Sequence, residues 1–309
     1  MKYREIKNED GLTEREFIES YNPNKYDRPS VTNDVLIFTT DDLPGGSPRN
    51  VQNKKLQILL IQRKNHPHIH KWAIPGGFVE MDEDLTEGAY RELQEETGIS
   101  NVYVEQLYTF GDLYLDKNRT IPRDPRTRII TVANIALISK EKMKPVAGDD
   151  AKDVMWFDVK KVLIDKRVEE RHIIKIHSLE LLSEDGEIKI SYKIQEKITK
   201  DSLREKESEY TLLECSTDAL AFDHYKMIDT AIDTIRNKVV YTPIAINLLP
   251  RVFTVAELKQ VYETVFGREI LDLERKFGDM IIKVDEKLEG KPHNEAQLYK
   301  FNEQWDYEF

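Results

Sequence analysis

The stretch that decides the fold lies at residues 76–99 and reads GGFVEMDEDLTEGAYRELQEETGI. Eight of its 24 residues are carboxylates, and Glu92, Glu95 and Glu96 stand at helical positions i, i+3 and i+4. Residues at that spacing share one face of a helix, where each pair of like charges costs about 0.2–0.5 kcal/mol. The crowding therefore predicts a positive charge that offsets the repulsion.

Carboxylate oxygens gathered on one helix face suit a hard cation, Mg²⁺ or Mn²⁺, which keeps several waters and bridges to phosphate oxygens. Arg91 adjoins the glutamates and can orient a carboxylate through a bidentate hydrogen bond. A solvated acidic helix face is the alternative, but it does not explain the glycines and aliphatic residues at fixed offsets. The aliphatic positions predicted to pack the helix onto a sheet are Leu85, Ala89, Leu93 and Ile99.

The spacing of the whole segment is Gly77, five residues, Glu83, seven residues, and then RELQEETGI from Arg91 to Ile99. It resembles the Nudix box, G-x5-E-x7-R-E-U-x-E-E-x-G-U with U aliphatic, and every specified position is met. The resemblance implies hydrolysis, dependent on Mg²⁺ or Mn²⁺, of a nucleoside diphosphate linked to another moiety X. It implies catalytic roles for Glu83, Arg91, Glu95 and Glu96, and metal ligation by Glu92, Glu95, Glu96 and Gly76. The general base stays open among Glu95, Glu96 and a loop acid.

Short apolar runs alternate with turns from Val31 to Asp158 around this one amphipathic helix, which predicts an α/β fold. Residues 1–160 are predicted to form a Nudix domain, an α/β/α sandwich with a mixed sheet. Residues 161–217 are predicted to form an inserted β-ribbon or linker, because apolar alternation flanks a tight turn at Asp185-Gly186.

Residues 218–309 change to helical spacing and are predicted to form an α+β winged helix-turn-helix domain. Thr254 and Glu257 stand in the positions of a capping box, and Gly267 ends that helix. A further helix within 270–284 and two strands joined by a Gly-Lys-Pro turn complete the order. Three helices followed by a two-stranded ribbon are typical of this domain.

Segments outside the box are similar to ADP-ribose pyrophosphatases and to the Nudix-related transcriptional regulators of NAD metabolism, among them LLIQRKNHPHIHKWAIPGGF and DPRTRIITV. The C-terminal segment LAFDHYKMIDTAIDTIRNKVVYTPIAINLLPRVFTVAELKQVYE resembles the winged helix-turn-helix of those regulators. The substrate contacts expected by residue type are Arg63, Arg126 and Arg128 for phosphate and Phe78 for stacking on adenine. An ordinary surface arginine is the alternative for each of the three.

The third helix of the winged domain carries Arg275 and Lys276, the predicted DNA contacts, and the wing carries Lys283, Lys287 and Lys291. Glu274 stands where those regulators have a basic residue, and residues 218–309 contain 17 acidic and 12 basic side chains. Neutralisation of DNA phosphates supplies most of the affinity for DNA, so this charge balance weakens the prediction of DNA binding.

Two functions are expected, in a definite order. The first is a Nudix pyrophosphohydrolase acting on ADP-ribose or a similar nucleotide sugar, because the box is complete and because the acidic recognition helix places the regulator second. The second is a transcriptional regulator that senses a phosphorylated metabolite such as ADP-ribose and binds operator DNA as a homodimer. A third reading makes the C-terminal region an oligomerisation module only. The sequence sets neither the moiety X nor the operator.

The composition limits the number of domains, the expected location and the mode of nucleic-acid binding. A chain of 309 residues, 39% hydrophobic and 33% charged, has room for two globular domains. No apolar run approaches the ~18 residues of a membrane span, and the opening MKYREIKNEDG has no apolar stretch, so a cytoplasmic location is expected. The single Cys215 predicts no internal disulfide, and the net charge of −11 limits nucleic-acid binding to a local patch.

Overall fold

The computed structural model describes residues 6–43, 53–100, 102–117, 119–142, 151–200, 205–270, 277–284 and 297–305. Its α-helices are α1 (Glu14–Ser20), α2 (Leu85–Thr97), α3 (His224–Tyr241) and α4 (Val255–Phe266), with 3-10 helices at Lys140–Lys142 and Ile244–Leu248. The first eight strands are β1 (Ser30–Asp42), β2 (Lys54–Arg63), β3 (Trp72–Ala73), β4 (Gly76–Phe78), β5 (Tyr103–Phe110), β6 (Leu113–Asp116), β7 (Arg119–Pro122) and β8 (Ile129–Leu137). The remaining strands are β9 (Ala151–Val168), β10 (His172–Ser183), β11 (Lys189–Thr199), β12 (Lys206–Leu212), β13 (Phe253–Thr254), β14 (Ile281–Val284) and β15 (Leu298–Phe301).

A ten-stranded mixed sheet forms the centre of the molecule, as predicted. Its strands run in the order β12-β11-β10-β9-β2-β1-β8-β5, with β3 paired to β2 and β4 paired to β1. The β1–β8 pair is parallel, whereas β1 pairs with β2 and with β4 in the antiparallel sense. The pairing of β4 with β1 places Gly76 opposite Asp34.

Helices cover both faces of this sheet, so the predicted sandwich is confirmed. Alternate residues of β1 face opposite sides: Val35 and Ile37 pack with Ala89 and Leu93 of α2. Leu36 and Phe38 belong to a second core that contains the apolar residues of α3 and α4. The second helical layer is therefore supplied by the C-terminal region, beyond the predicted Nudix range of 1–160.

The predicted ribbon continues the central sheet. β9 runs without a break through the predicted boundary between residues 160 and 161 and pairs with β2 and β10. β10 and β11 form the predicted hairpin, and Gly186 in its turn adopts a left-handed φ of 77°. The division of the chain into three segments stays a prediction, although the first boundary falls inside a strand.

The C-terminal region contains the predicted capping box. Thr254 accepts a hydrogen bond from the backbone N–H of Glu257, and Gly267 ends α4 in the left-handed region. Three short strands pair in the order β13-β15-β14, whereas the sequence predicted a ribbon of two strands. Of the third predicted helix, 270–284, residues 271–276 lie outside the described residues, and so do Lys287 and Lys291 of the predicted wing; Arg275 and Lys276 fall in the first of these gaps. The end of that predicted helix is wrong, because Ile281–Val284 form strand β14 and pair with β15. Within the described part of the chain, no helix is both long enough and apolar enough to cross a membrane.

Candidate nucleotide site at the Nudix box

The helix α2 of the box begins and ends where its sequence dictates. The Asp84 carboxylate accepts hydrogen bonds from the backbone N–H groups of Thr86 and Glu87 at 2.8 and 2.9 Å, which caps the helix N-terminus. Gly98 ends the helix with φ 70°, in the left-handed region that favours glycine. The expected apolar face is present except at Leu85, which is 44% exposed because it lies in the first turn, at the rim of the core.

Arg91 supplies a positive charge among the acids of the box. Its Nε and Nη2 donate to the two carboxylate oxygens of Glu83 at 2.8 and 2.7 Å, which is a bidentate pair. Its Nη1 donates to Glu92 at 2.6 Å and to Glu95 at 3.1 Å. The hydrogen bonds from Arg91 hold the pKa of Glu83 down at about 2. A cation of the chain itself thus offsets part of the repulsion predicted on this helix face.

The two glycines that precede the helix let β4 pass directly against these acids. A Cβ atom on Gly77 would lie 2.3 Å from a carboxylate oxygen of Glu92. The N–H of Gly76 donates to Glu96 at 2.6 Å. A Cβ atom on Gly76 would lie 2.3 Å from the backbone oxygen of Asn33 and 2.3 Å from a carboxylate oxygen of Asp34, so both glycines are required by close approach.

The donor set fits a hard divalent cation, because all of its ligand atoms are oxygens and a cradle without side chains faces them. Burial raises the pKa of the Glu92 carboxyl above its usual value, against the opposing effect of the hydrogen bond from Arg91. The residues that would hold Mg²⁺ or Mn²⁺ are Glu92, Glu95, Glu96 and the carbonyl of Gly76. Among the described residues, however, the group of three acids whose ligand atoms all lie within 4.8 Å of one another is Glu196, Asp229 and Asp233, which lies outside the box. The roles assigned to the box residues stay predictions.

A cavity of about 310 Å³ adjoins the box, with Gly76, Gly77 and Glu96 in its wall. Three of the four predicted substrate contacts line it, namely Arg63, Phe78 and Arg126. Arg128 is not in the lining, and its guanidinium donates to the backbone oxygen of Asp112 at 3.3 Å. The volume is at the lower end of the range typical of small-molecule sites.

Sequence reasoning missed several groups of this cavity. The first is Asp34, a fully buried acid whose pKa burial raises to about 7. Arg123 also lines the cavity, and its Nε lies 3.0 and 3.1 Å from the two carboxylate oxygens of Asp223, which also accepts from Tyr114 at 2.8 Å. No local pattern marks Arg123 as different from the neighbouring arginines, because its partner lies 100 residues further along the chain.

The C-terminal region completes the cavity wall through Phe222 and His224, at the start of α3. The Phe222 ring centroid lies 5.0 Å from the guanidinium carbon of Arg63 and 5.9 Å from that of Arg126. The Nδ1 of His224 accepts from the N–H of Ile74 at 2.9 Å, and burial lowers the pKa of His224 to about 3. The only sequence signal was a Phe-Asp-His tripeptide just ahead of a helical pattern, which is too weak to predict a contact with the box.

These features define a class of protein, a Nudix domain whose cavity is closed by residues at the start of α3. The NUDIX domain profile matches residues 48–176, and the profile of the NrtR DNA-binding winged helix domain matches residues 245–301. The chain is 30% identical over 308 residues to the ADPR responsive transcriptional repressor NtrR of Acinetobacter baylyi, covering 96% of this chain and 91% of the relative. It therefore belongs to the family that joins a Nudix domain to an NrtR-type winged helix domain.

Two solved structures share the fold. A MutT/nudix family protein from Enterococcus faecalis is similar over 94% of both chains, with a TM-score of 0.64 and 26% identity. Shewanella oneidensis NrtR, crystallised with a 27mer DNA, is similar over 88% of this chain and 93% of that chain, with a TM-score of 0.56 and 24% identity. The match over nearly the whole length supports the predicted pairing of domains.

Proposed function

We propose that this protein is a transcriptional regulator whose Nudix cavity binds ADP-ribose and whose winged helix region binds operator DNA. The observation that carries the proposal is the closure of the cavity by Phe222 and His224, because α3 joins the ligand site directly to the winged helix region. The end-to-end likeness to an ADPR responsive repressor supports it. The order expected from the sequence is thereby reversed, with the regulator ahead of the hydrolase.

The electrostatics of the cavity favour an anionic ligand. Burial and repulsion by the nearby charge of Arg126 lower the pKa of Arg63, whereas pairing with Asp124 raises the pKa of Arg126. A diphosphate placed between them would relieve this repulsion and accept hydrogen bonds from both. The exposed Phe78 ring, 5.4 Å from the Arg126 guanidinium carbon, offers an apolar face for a base.

The test is a fluorescence-anisotropy titration of the DNA upstream of the protein's own gene and of a random duplex. Both titrations are run with and without ADP-ribose, in EDTA, at several salt concentrations. We expect tight binding to the upstream DNA only and a change of about 5–150-fold in that affinity on adding ADP-ribose. Two phosphate contacts from each subunit of a dimer would give a salt slope of roughly −3.6. Equal affinity for both duplexes, or no effect of ADP-ribose, would contradict the proposal.

Hydrolysis of ADP-ribose is a second candidate, favoured by the complete box. When bound, a divalent cation would supply charge neutralisation on the pyrophosphate. Within the chain, Arg91 orients Glu83 and Glu92, while Gly76 holds Glu96 beside the cavity. A regulator that destroys its own effector would reset itself, so the two functions are compatible.

The assay for this candidate is incubation of the purified chain with ADP-ribose and Mg²⁺, followed by chromatographic identification of AMP and ribose 5-phosphate. We expect turnover that EDTA abolishes, because the proposed ligands are all oxygens. An intact ADP-ribose pool after prolonged incubation would leave the cavity as a binding site alone.

A further inference from the structure

We propose that Phe222 is the positioning residue through which a diphosphate in the Nudix cavity acts on the winged helix region. The inference rests on the proposed function and names the contact that carries the signal. The guanidinium groups of Arg63 and Arg126 lie against the Phe222 ring. They are also the groups that a diphosphate would recruit.

The ring of Phe222 is held from several sides. Arg63 and Arg126 lie within cation–π distance of it, and the His68 ring meets it edge-on at 4.6 Å. Its backbone adopts φ 48°, in the left-handed region that non-glycine residues rarely occupy. Such a conformation persists only while its surroundings enforce it. Loss of the side-chain contacts would therefore favour movement of the backbone at this point.

The backbone on either side of Phe222 is tied to the Nudix domain by a small number of contacts. Ala221 donates its N–H to the backbone oxygen of Trp72 at 2.8 Å, and Asp223 pairs with Arg123. His224 accepts from Ile74 on the segment that leads into the box. Phe222 thus stands between two anchors on the rim of the cavity, and its ring is the part that faces the ligand space.

The helix that begins here reaches the winged helix region. Arg236 lies three turns further along α3, about 18 Å from His224 at 1.5 Å per residue. Its Nη2 lies 3.2 Å from the place that a Cβ on Gly267 would occupy, at the C-terminal end of α4. Between these points α3 is joined to β9 by Lys161, which lies 2.6 Å from Asp229, so a shift at the start of α3 must carry past this ion pair to reach the end of α4.

A bound diphosphate and the Phe222 ring compete for the guanidinium groups of Arg63 and Arg126. A diphosphate offers each guanidinium a charge-assisted hydrogen bond, which is stronger than its contact with a neutral ring. Arg63 already donates its Nε to the backbone oxygen of Pro67 at 2.8 Å, and Arg126 donates its Nη2 to Asp124 at 2.8 Å. The ligand would recruit their remaining N–H groups and so draw both cations away from Phe222. If operator DNA binds more tightly while Arg63 and Arg126 hold the Phe222 ring, the diphosphate lowers the affinity for DNA. By linkage, DNA must then lower the affinity for the diphosphate by the same factor.

The experiment compares the full-length chain with Phe222→Leu, which keeps the apolar volume and removes the aromatic face. Phe222→Tyr restores the ring, and Tyr26→Leu removes an exposed cation–π pair with Lys25 as the matched control. Two readouts are used, both in EDTA to prevent turnover. One is hydrogen exchange of residues 219–228 with and without ADP-ribose, and the other is the ratio of operator affinities with and without ADP-ribose.

We expect ADP-ribose to speed exchange at 219–228 in the wild type, in Phe222→Tyr and in Tyr26→Leu. In Phe222→Leu this response disappears and the operator ratio falls below about threefold, against the 5–150-fold usual for allosteric coupling. Calorimetry on the same proteins should show ADP-ribose affinity reduced by less than about tenfold in Phe222→Leu, which separates coupling from binding.

Two results would overturn the inference. Exchange at 219–228 that does not respond to ADP-ribose in the wild type would show that the ligand leaves this segment in place, whatever the variants do. A wild-type ratio retained in Phe222→Leu would show that another contact carries the signal, while leaving the proposed regulator intact. Failure of the regulator itself is distinct, because operator binding in the wild type would then ignore ADP-ribose.

Discussion

Two helices of this protein carry a pair of acids at i and i+4, and the two pairs have opposite environments. On α2 the pair is Glu92 and Glu96, and the facing strand β4 brings only the glycine backbone against it. On α3 the pair is Asp229 and Asp233, and the facing strand β9 brings Lys161, whose Nζ lies 2.6 and 2.7 Å from the two carboxylates. Equal spacing on a helix therefore does not decide whether acids form a ligand site.

The carboxylates around Lys161 lie close enough together to hold a metal ion, but they form ion pairs with lysines. Glu196 adds a third carboxylate, and Lys206 donates to it at 2.6 Å. Burial raises the pKa of Glu196, but the hydrogen bond from Lys206 and the charge of Lys161 bring it below the usual value. An ammonium group occupies the position a cation would need, so this cluster joins α3 to the sheet instead of binding metal.

The largest expected effect tests this assignment. Lys161→Met leaves the buried carboxylate of Asp229 without its cation, because Lys206 stays beside Glu196 and Asp233 while the Lys161 and Asp229 side chains are only 2% and 3% exposed. We expect the free energy of unfolding to fall by about 3–5 kcal/mol, measured by urea denaturation. Arg15→Ala, which removes an exposed pair with Glu19, should change it by less than about 0.5 kcal/mol. A loss below about 1 kcal/mol in Lys161→Met would show that the cluster tolerates its charges without the lysine.

A divalent cation should bind to the acids of α2 and not to the acids around Lys161. Mg²⁺ or Mn²⁺ should raise the melting temperature of the wild type and of Asp233→Asn, since only the glycine-lined acids leave room for an ion. Glu96→Gln should abolish the rise and lower any ADP-ribose hydrolysis by about 10²–10³-fold. A metal-induced rise that survives in Glu96→Gln but vanishes in Asp233→Asn would reverse the assignment of the clusters.

The smallest expected effect is a change in the pH dependence of stability at His224, which joins α3 to the segment that leads into the box. Its pKa in the folded protein is about 3, below the ordinary 6.5, so the unfolded chain takes up the proton first as the pH falls. The stability contributed by neutral His224 is complete above pH 6.5 and is lost as the pH falls towards 3, by about 2 kcal/mol at pH 5. His224→Asn keeps an acceptor for the N–H of Ile74 and should lose less stability than the wild type between pH 7 and pH 5, measured by denaturant unfolding. Parallel pH profiles for the two proteins would contradict this.

Features that depend on neighbouring residues were predictable from the sequence. The box fixed α2 and its caps, because Asp84 and Gly98 satisfy the helix ends locally. The turn at Gly186 and the capping box at Thr254 were predictable for the same reason. The pairing of Nudix and winged helix regions followed from the two resemblances together. Arg63, Phe78 and Arg126 were found by residue type and do line the cavity.

Only the tertiary structure decided which groups meet across the sheet. Asp223 reaches Arg123 across 100 residues, and Lys161 reaches Asp233 across 72 residues. Phe222 enters the cavity wall because α3 packs on the face of the sheet opposite α2. No spacing rule predicts such contacts, since they depend on which strands neighbour one another and which face each side chain takes. The sequence by itself therefore determined the acids, the glycines and the helix ends, whereas packing decided that Glu96 lines a cavity and that Asp229 and Asp233 face a lysine.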